Sequence, residues 1–240
     1  MFRELWRGKE TQLDRPAIRC GEHVLTFGAF FDLILRAEAG LRALGVRPGE
    51  LVTILSMNTP ETIAAFYAID RIGAVANWVD MKLSPAEVEG YLTRADARVV
   101  LVLEAAFRKV YENRGRSPAC HFICLPLAPY VSPRLGGKLR LGNWVSFRGA
   151  ECLSWEEFLR ESGGETPEVD RWEEPAVITY TGGTTGPAKG VMLSRRAFYA
   201  SLVQYTKSGT EHGSGANLVL LPPFAAFGLC QCIHVPLCLG

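Results

Sequence analysis

Apolar residues along this chain repeat with two distinct periods. Phe27, Phe30, Phe31, Ile34, Ala37 and Leu41 recur at helical spacing behind Thr26, and Gly45 is placed to end that helix. The Arg47-Pro48-Gly49 turn leads into Leu51–Leu55, a short continuous apolar run of the kind a buried strand shows. Thr59-Pro60-Glu61 opens a second helix carrying Ile63, Phe66, Tyr67 and Ile69, and residues 74–79 form the next strand pattern. Ser84-Pro85-Ala86-Glu87 is a capping box with proline at the first helical position, and residues 98–103 return as a strand. Strands alternating with helices predict βαβ units, hence an α/β fold with a mostly parallel sheet flanked by helices.

The pattern loosens over residues 104–175, which read as an irregular insertion and linker. Pro118, Pro126, Pro129, Pro133 and the Gly136-Gly137 pair break any long element there, although residues 120–125 fit one more strand. Ser154-Trp155-Glu156-Glu157 starts a short helix with a capping box, and 161–175 is a polar linker. Arg134, Lys138, Arg140 and Arg148, with Tyr130, Trp144 and Phe147 between them, would suit a peripheral membrane or nucleic-acid contact. The charges are scattered and form no helical face, which favours a solvated loop. Residues 213–240 carry no Asp, Glu, Lys or Arg, and 218–221 and Val235–Leu239 are strongly apolar. A membrane-spanning helix is the sharper alternative, but Pro222-Pro223, Pro236, Gln231 and His234 make it a poor one. A buried strand followed by a core helix is expected instead.

Composition narrows the class further. The formal net charge of +1 gives no field to steer nucleic acid, and 48% hydrophobic residues suffice for a substantial core. Seven cysteines, an odd number, without a signal peptide fit reduced thiols and a cytoplasmic setting. Cys230-x-Cys232 with His234 has the wrong spacing for a metal clip and apolar neighbours, so buried cysteines are expected. His23, His121 and His212 stand outside any catalytic constellation.

The chemistry-bearing stretch is Thr179-Tyr180-Thr181-Gly182-Gly183-Thr184-Thr185-Gly186-Pro187-Ala188-Lys189-Gly190-Val191. Its glycines lack the Cβ atoms that would block a ligand and permit backbone amides to converge on anionic oxygens. Thr181, Thr184 and Thr185 add hydroxyls and Lys189 a mobile positive charge. Strand patterns Ala176-Val177-Ile178 and Val191-Met192-Leu193 flank it, and Ser194 caps a helix from 195 to about 205. A Walker loop is excluded, because Ala188 precedes and Gly190 follows Lys189. A plain surface turn would not need this density of phosphate-compatible residue types.

Thr181-Gly182-Gly183-Thr184-Thr185-Gly186-Pro187-Ala188-Lys189-Gly190 resembles the signature loop of the adenylate-forming enzymes: acyl-CoA synthetases, luciferases and the adenylation domains of peptide synthetases. The usual form is Thr-Ser-Gly-Thr-Thr-Gly-x-Pro-Lys-Gly; Gly182 and Ala188 are the variant positions, and both resemble the fatty acyl-CoA synthetase branch. Leu41-Arg42-Ala43-Leu44-Gly45-Val46-Arg47-Pro48-Gly49-Glu50, Met57-Asn58-Thr59-Pro60-Glu61, Gly73-Ala74-Val75 and Leu83-Ser84-Pro85-Ala86-Glu87 are similar to further family patterns. Leu221-Pro222-Pro223-Phe224-Ala225-Ala226-Phe227-Gly228 resembles a motif usually written Pro-x-Phe-His-x-x-Gly, with Ala225 where His is usual.

This resemblance implies ATP-dependent activation of a carboxylic acid as an acyl-adenylate, then transfer to a thiol, with ATP, Mg²⁺ and coenzyme A taking part. It assigns phosphate oxygens to Thr181, Thr184 and Thr185, backbone approach to Gly182, Gly183, Gly186 and Gly190, and charge neutralisation in catalysis to Lys189. Thr184 also faces the magnesium, and Phe224, Ala225 and Gly228 lie on the acyl side. The acid is expected to be a fatty acid, with aryl and amino acids as alternatives, and neither nucleic acid nor an integral membrane segment is expected. Residues 1–240 then correspond to a partial N-terminal domain, with the family's C-terminal domain and its lysine absent, and the chain alone is expected to be inactive. The competing expectation is a non-catalytic truncated remnant that binds nucleotide weakly or not at all.

Overall fold

A computed structural model describes residues 1–115, 117, 119, 121–143, 151–161, 163, 171–181, 188–208 and 215–240, with the side chains of 139–143 excepted. The described elements run α1 (Phe2–Trp6), β1 (Pro16–Cys20), β2 (His23–Thr26), α2 (Phe27–Ala43), β3 (Leu51–Leu55), α3 (Pro60–Ile72), β4 (Val75–Trp78), α4 (Pro85–Ala95), β5 (Val99–Leu103), α5 (Phe107–Glu112) and β6 (His121–Leu125). A 3₁₀ turn (Ala128–Tyr130), α6 (Pro133–Asn143), β7 (Cys152–Ser154), α7 (Trp155–Phe158), β8 (Pro175–Thr181), β9 (Lys189–Ser194), α8 (Arg195–Lys207), a π-helical segment (Gly228–His234) and α9 (Val235–Leu239) follow.

Seven strands form one sheet in the order β7-β6-β5-β3-β4-β8-β9, parallel except for the antiparallel β8–β9 pair. β1 and β2 make a separate hairpin. Every residue of β5 is buried, which is why its sequence, Val-Val-Leu-Val-Leu, is continuous rather than alternating: helices cover both faces. On one face α4 and α5 pack through Val88, Tyr91, Leu92, Phe107 and Val110. On the other lie α2 and α3, backed in turn by α8, the π-helical segment and α9. Sandwiched this way, α3 buries every residue except Arg71. Its ends are set locally: Thr59 accepts the Thr62 amide, Pro60 occupies the first turn, and Gly73 takes the left-handed φ of +81°.

Two sequence expectations are corrected. Gly136-Gly137 does not break the chain; α6 runs through the pair. A Cβ at Gly136 would sit 2.8 Å from the Ala128 carbonyl oxygen, so the bare glycine allows α6 to lie close against the 3₁₀ turn. Residues 218–221 are not a buried strand: Leu218 and Leu220 are 77% and 78% exposed. Apolar composition creates a preference for burial, but a partner surface must supply it: Val219 packs partly against the main core, while Asn58 Nδ2 donates to the Leu221 carbonyl (2.8 Å) and the preceding Asn217 donates through Nδ2 to that of Cys232 (3.0 Å). The core helix expected over Val235–Leu239 is present, with Val235, Leu237 and Cys238 buried. Cys230 is also buried, while Cys232 is partly exposed. Among the described residues no helix is long and apolar enough to cross a membrane.

Candidate nucleotide-binding site

β8 and β9 are register-paired from Pro175↔Ser194 to Thr181↔Lys189, so the hairpin opens between the last pair. Gly182, Gly183, Thr184, Thr185 and Gly186 belong to residues 182–187, which lie outside the described residues. The structure therefore places the two ends of the sequence-predicted loop. Thr181 and Lys189 are both exposed and face each other across the hairpin mouth, with the Thr181 hydroxyl donating to the Lys189 carbonyl at 3.5 Å. Alternation along a strand puts their side chains on one face and those of Tyr180 and Met192 on the other. Ser194 Oγ accepts the Ala197 amide (3.3 Å) and starts α8 at the far end of β9, as its sequence position predicts.

Directly below the mouth a polar string crosses three strands. Tyr180 Oη donates to Asn77 Oδ1 of β4 (2.8 Å), and Asn77 Nδ2 donates to Thr53 Oγ1 of β3 (3.0 Å). Asn77 and Thr53 are fully buried, and burial together with the Tyr91 ring holds the Tyr180 hydroxyl above its usual range. Gly190 is the register partner of Tyr180, and a Cβ there would come within 3.3 Å of its ring. Thr53 and Asn77 lie outside the motif, and Tyr180 within it was assigned no role. The only hint was an asparagine inside the apolar run of β4.

Phe224, Ala225 and Gly228 follow the exposed Leu221. Phe224 is partly buried against the main core, and the Ala225 amide donates to the Pro222 carbonyl (3.2 Å) in a tight turn. A Cβ on Gly228 would lie 2.5 Å from the Pro222 carbonyl oxygen, a contact with backbone that no side-chain shift relieves. Asn58, just past the carboxyl end of β3, anchors this turn through Leu221, while Thr181 ends β8. Both motifs thus sit at the carboxyl ends of the parallel strands, the rim where open α/β sheets bind ligands. Gly228→Ala should lower stability by about 1–3 kcal/mol. Gly137→Ala, with nothing within 4 Å, should be neutral or slightly stabilising; equal urea midpoints for the two variants would contradict the packing assigned to Gly228.

Glu61 at the start of α3 accepts from Tyr130 Oη (2.6 Å), and its carboxyl is raised by burial despite that bond. His23 Nε2 lies 3.1 Å from the Pro129 carbonyl. His234 is fully buried, with Nδ1 2.9 Å from Tyr67 Oη. Among the described residues no group of three or more His, Cys, Asp or Glu side chains is arranged to hold a metal.

The sequence model of the AMP-binding enzyme family matches residues 5–240. The chain belongs to that family. Among curated relatives, the chain is 29% identical over 224 residues to 4-coumarate–CoA ligase CCL1 of Humulus lupulus, covering 90% of the chain and 37% of the relative. It is 25% identical over 239 residues to the long-chain-fatty-acid–CoA ligase of Bacillus subtilis (strain 168), covering 95% and 42%. Coronafacic acid ligase from Pectobacterium brasiliense superposes with a TM-score of 0.81 at 18% identity, covering 100% of the chain and 44% of that protein. The chain therefore spans less than half the length of these relatives, and the superposition establishes the α/β fold seen here.

Proposed function

We propose that this chain is the phosphate-gripping part of an enzyme that activates a carboxylic acid with ATP, forming an acyl-adenylate and pyrophosphate, and then passes the acyl group to the thiol of coenzyme A. The observation that carries this reading is the hairpin mouth, where Thr181 and Lys189 face each other at the two ends of a loop rich in glycine and threonine. Backbone amides of Gly182, Gly183, Gly186 and Gly190 and hydroxyls of Thr181, Thr184 and Thr185 hold the β- and γ-phosphates. Lys189 offsets the charge that grows as pyrophosphate departs. Thr184 is the side chain of this loop that would face a magnesium ion carried on the phosphates, and the ion would supply further charge neutralisation there. Phe224, Ala225 and Gly228 border the acyl group. The two named relatives, acting on 4-coumarate and on long-chain fatty acids, define the acids to test, and the Gly182 and Ala188 variants favour the fatty acid.

Lys189→Ala tests the phosphate grip directly. A charge-assisted contact contributes about 1.5–3 kcal/mol, so titration calorimetry should show Mg·ATP binding weakened roughly ten- to a hundredfold. AMP, lacking the β- and γ-phosphates, should lose little. Equal losses for ATP and AMP, or no ATP binding by the unaltered chain, would remove the assignment.

A further inference from the structure

We propose that Tyr180 is a positioning residue for the loop, pinned to Asn77 and Thr53 below and to Gly190 beside it, so that both stems enter the loop in one fixed direction. The inference rests on the phosphate-loop reading for its functional consequence, and on the structure alone for its geometry.

Tyr180 is the residue immediately before Thr181, and its register partner Gly190 is the residue immediately after Lys189. One side chain thereby controls both strands at the point where they part. Its ring lies against the face of β9 that Gly190 leaves bare, where a Cβ would meet Tyr180 Cε1 at 3.3 Å and Ile178 Cγ2 at 3.2 Å. Tyr91 of α4 meets the ring edge-on, with centroids 4.6 Å apart. The hydroxyl reaches inward to Asn77 Oδ1 at 2.8 Å, and Asn77 is itself held by Thr53 at 3.0 Å. Thr53 and Asn77 are register partners on β3 and β4, and Asn77 pairs with Ile178 on β8, so Tyr180, two residues beyond Ile178 on the same face, completes the string across the sheet on a diagonal. Buried polar groups keep a unique arrangement because breaking one bond strands its partner in an apolar interior. A hydrophobic contact at this position could slide; a hydrogen-bonded one cannot. The sheet interior thus sets where Thr181 and Lys189 point, without touching the nucleotide.

The test compares Tyr180→Phe, Gly190→Ala and an all-apolar string, Tyr180→Phe with Asn77→Leu and Thr53→Val. Mg·ATP and AMP affinities are measured by calorimetry, and amide exchange is followed in the nucleotide-free chain. Tyr180→Phe should weaken Mg·ATP binding roughly three- to tenfold and leave AMP within about twofold. Exchange at Thr181, Lys189 and Gly190 should quicken while Val177 and Leu193, at the closed end, stay protected. Gly190→Ala should reproduce both effects by displacing the ring from the other side. The all-apolar string should recover the urea midpoint lost by Tyr180→Phe, because no polar group is left stranded, yet recover neither affinity nor exchange protection. Recovery of affinity along with stability would show that Tyr180 only supports the fold, and unchanged exchange in Tyr180→Phe would overturn the pin outright. If the unaltered chain binds no Mg·ATP, the phosphate-loop reading falls and the exchange results alone uphold or overturn the pin.

Discussion

Arg195→Ala is expected to lower the unfolding free energy by about 3–5 kcal/mol, a large fraction of the stability of a domain. Arg195 opens α8 yet lies buried, its Nε donating to Asp70 Oδ1 of α3 at 2.8 Å. Its Nη1 donates to the Pro175 carbonyl (3.2 Å) and Nη2 to that of Ala74 (3.1 Å), so one guanidinium ties α8 to α3, to the residue that leads into β4 and to β8. Burial by itself would raise the Asp70 carboxyl, but the Met1 ammonium and Arg195 outweigh it and hold the group below its ordinary 3.8. Removing Arg195 leaves a buried carboxylate short of one partner and takes one donor from each of two carbonyls. The Met1 ammonium, 3.2 Å from Asp70, remains and places the loss toward the lower end of the range. Arg196→Ala is the control: its pair with Glu173 is 64% and 69% exposed and should contribute less than about 1 kcal/mol. Urea titrations that gave the two variants similar midpoints would show that the buried pair does not hold these elements together.

The second large effect is a loss of stability on mild acidification, through His234. Burial lowers this imidazole from 6.5 to about 4, helped by the Met1 ammonium and opposed by Asp70 and Glu4. Tyr67 Oη lies against Nδ1 and the Cys238 thiol within 3.8 Å of the ring, so the neutral form is the one this environment accepts. Above pH 6.5 the histidine is neutral in both folded and unfolded chains. As pH falls toward about 4 the unfolded chain gains a proton that the folded one refuses, and stability falls; below about 4 both are protonated and the loss levels off. At roughly 1.4 kcal/mol per pH unit the loss across that window approaches about 3 kcal/mol. Glu61 acts in the opposite sense, because its raised carboxyl takes up a proton first in the folded state, and Asp70 matters only below 3.8. His234→Gln keeps an acceptor for Tyr67 and removes the titration. Between pH 7 and pH 4.5 the unaltered chain should lose about 2–3 kcal/mol more than this variant; parallel pH profiles would exclude His234 as the source.

The elements were legible in the sequence wherever their causes are local. The apolar run of β5, the Thr59-Pro60 start of α3 and the reciprocal Ser84–Glu87 cap of α4 each depend on neighbours within a few residues, and each is where the sequence puts it. The hairpin flanking the loop and the Ser194 cap behind it were legible for the same reason. Gly136-Gly137 misled because helix propensity is a weak term, and the packing of α6 on the 3₁₀ turn overrides it by using the missing Cβ. Leu218 and Leu220 misled because apolarity describes what a side chain prefers and not what stands beside it.

The sequence by itself determined the α/β class, the family and the residue types of the loop, since all three reside in local pattern and motif. The strand order β7-β6-β5-β3-β4-β8-β9, the burial of Arg195 on Asp70 and the alignment of Thr53, Asn77 and Tyr180 were decided only by tertiary structure. Each joins residues far apart in the chain, such as Asn77 and Tyr180, and pairing of that kind is fixed by crossovers and sheet register, which no short stretch of sequence contains.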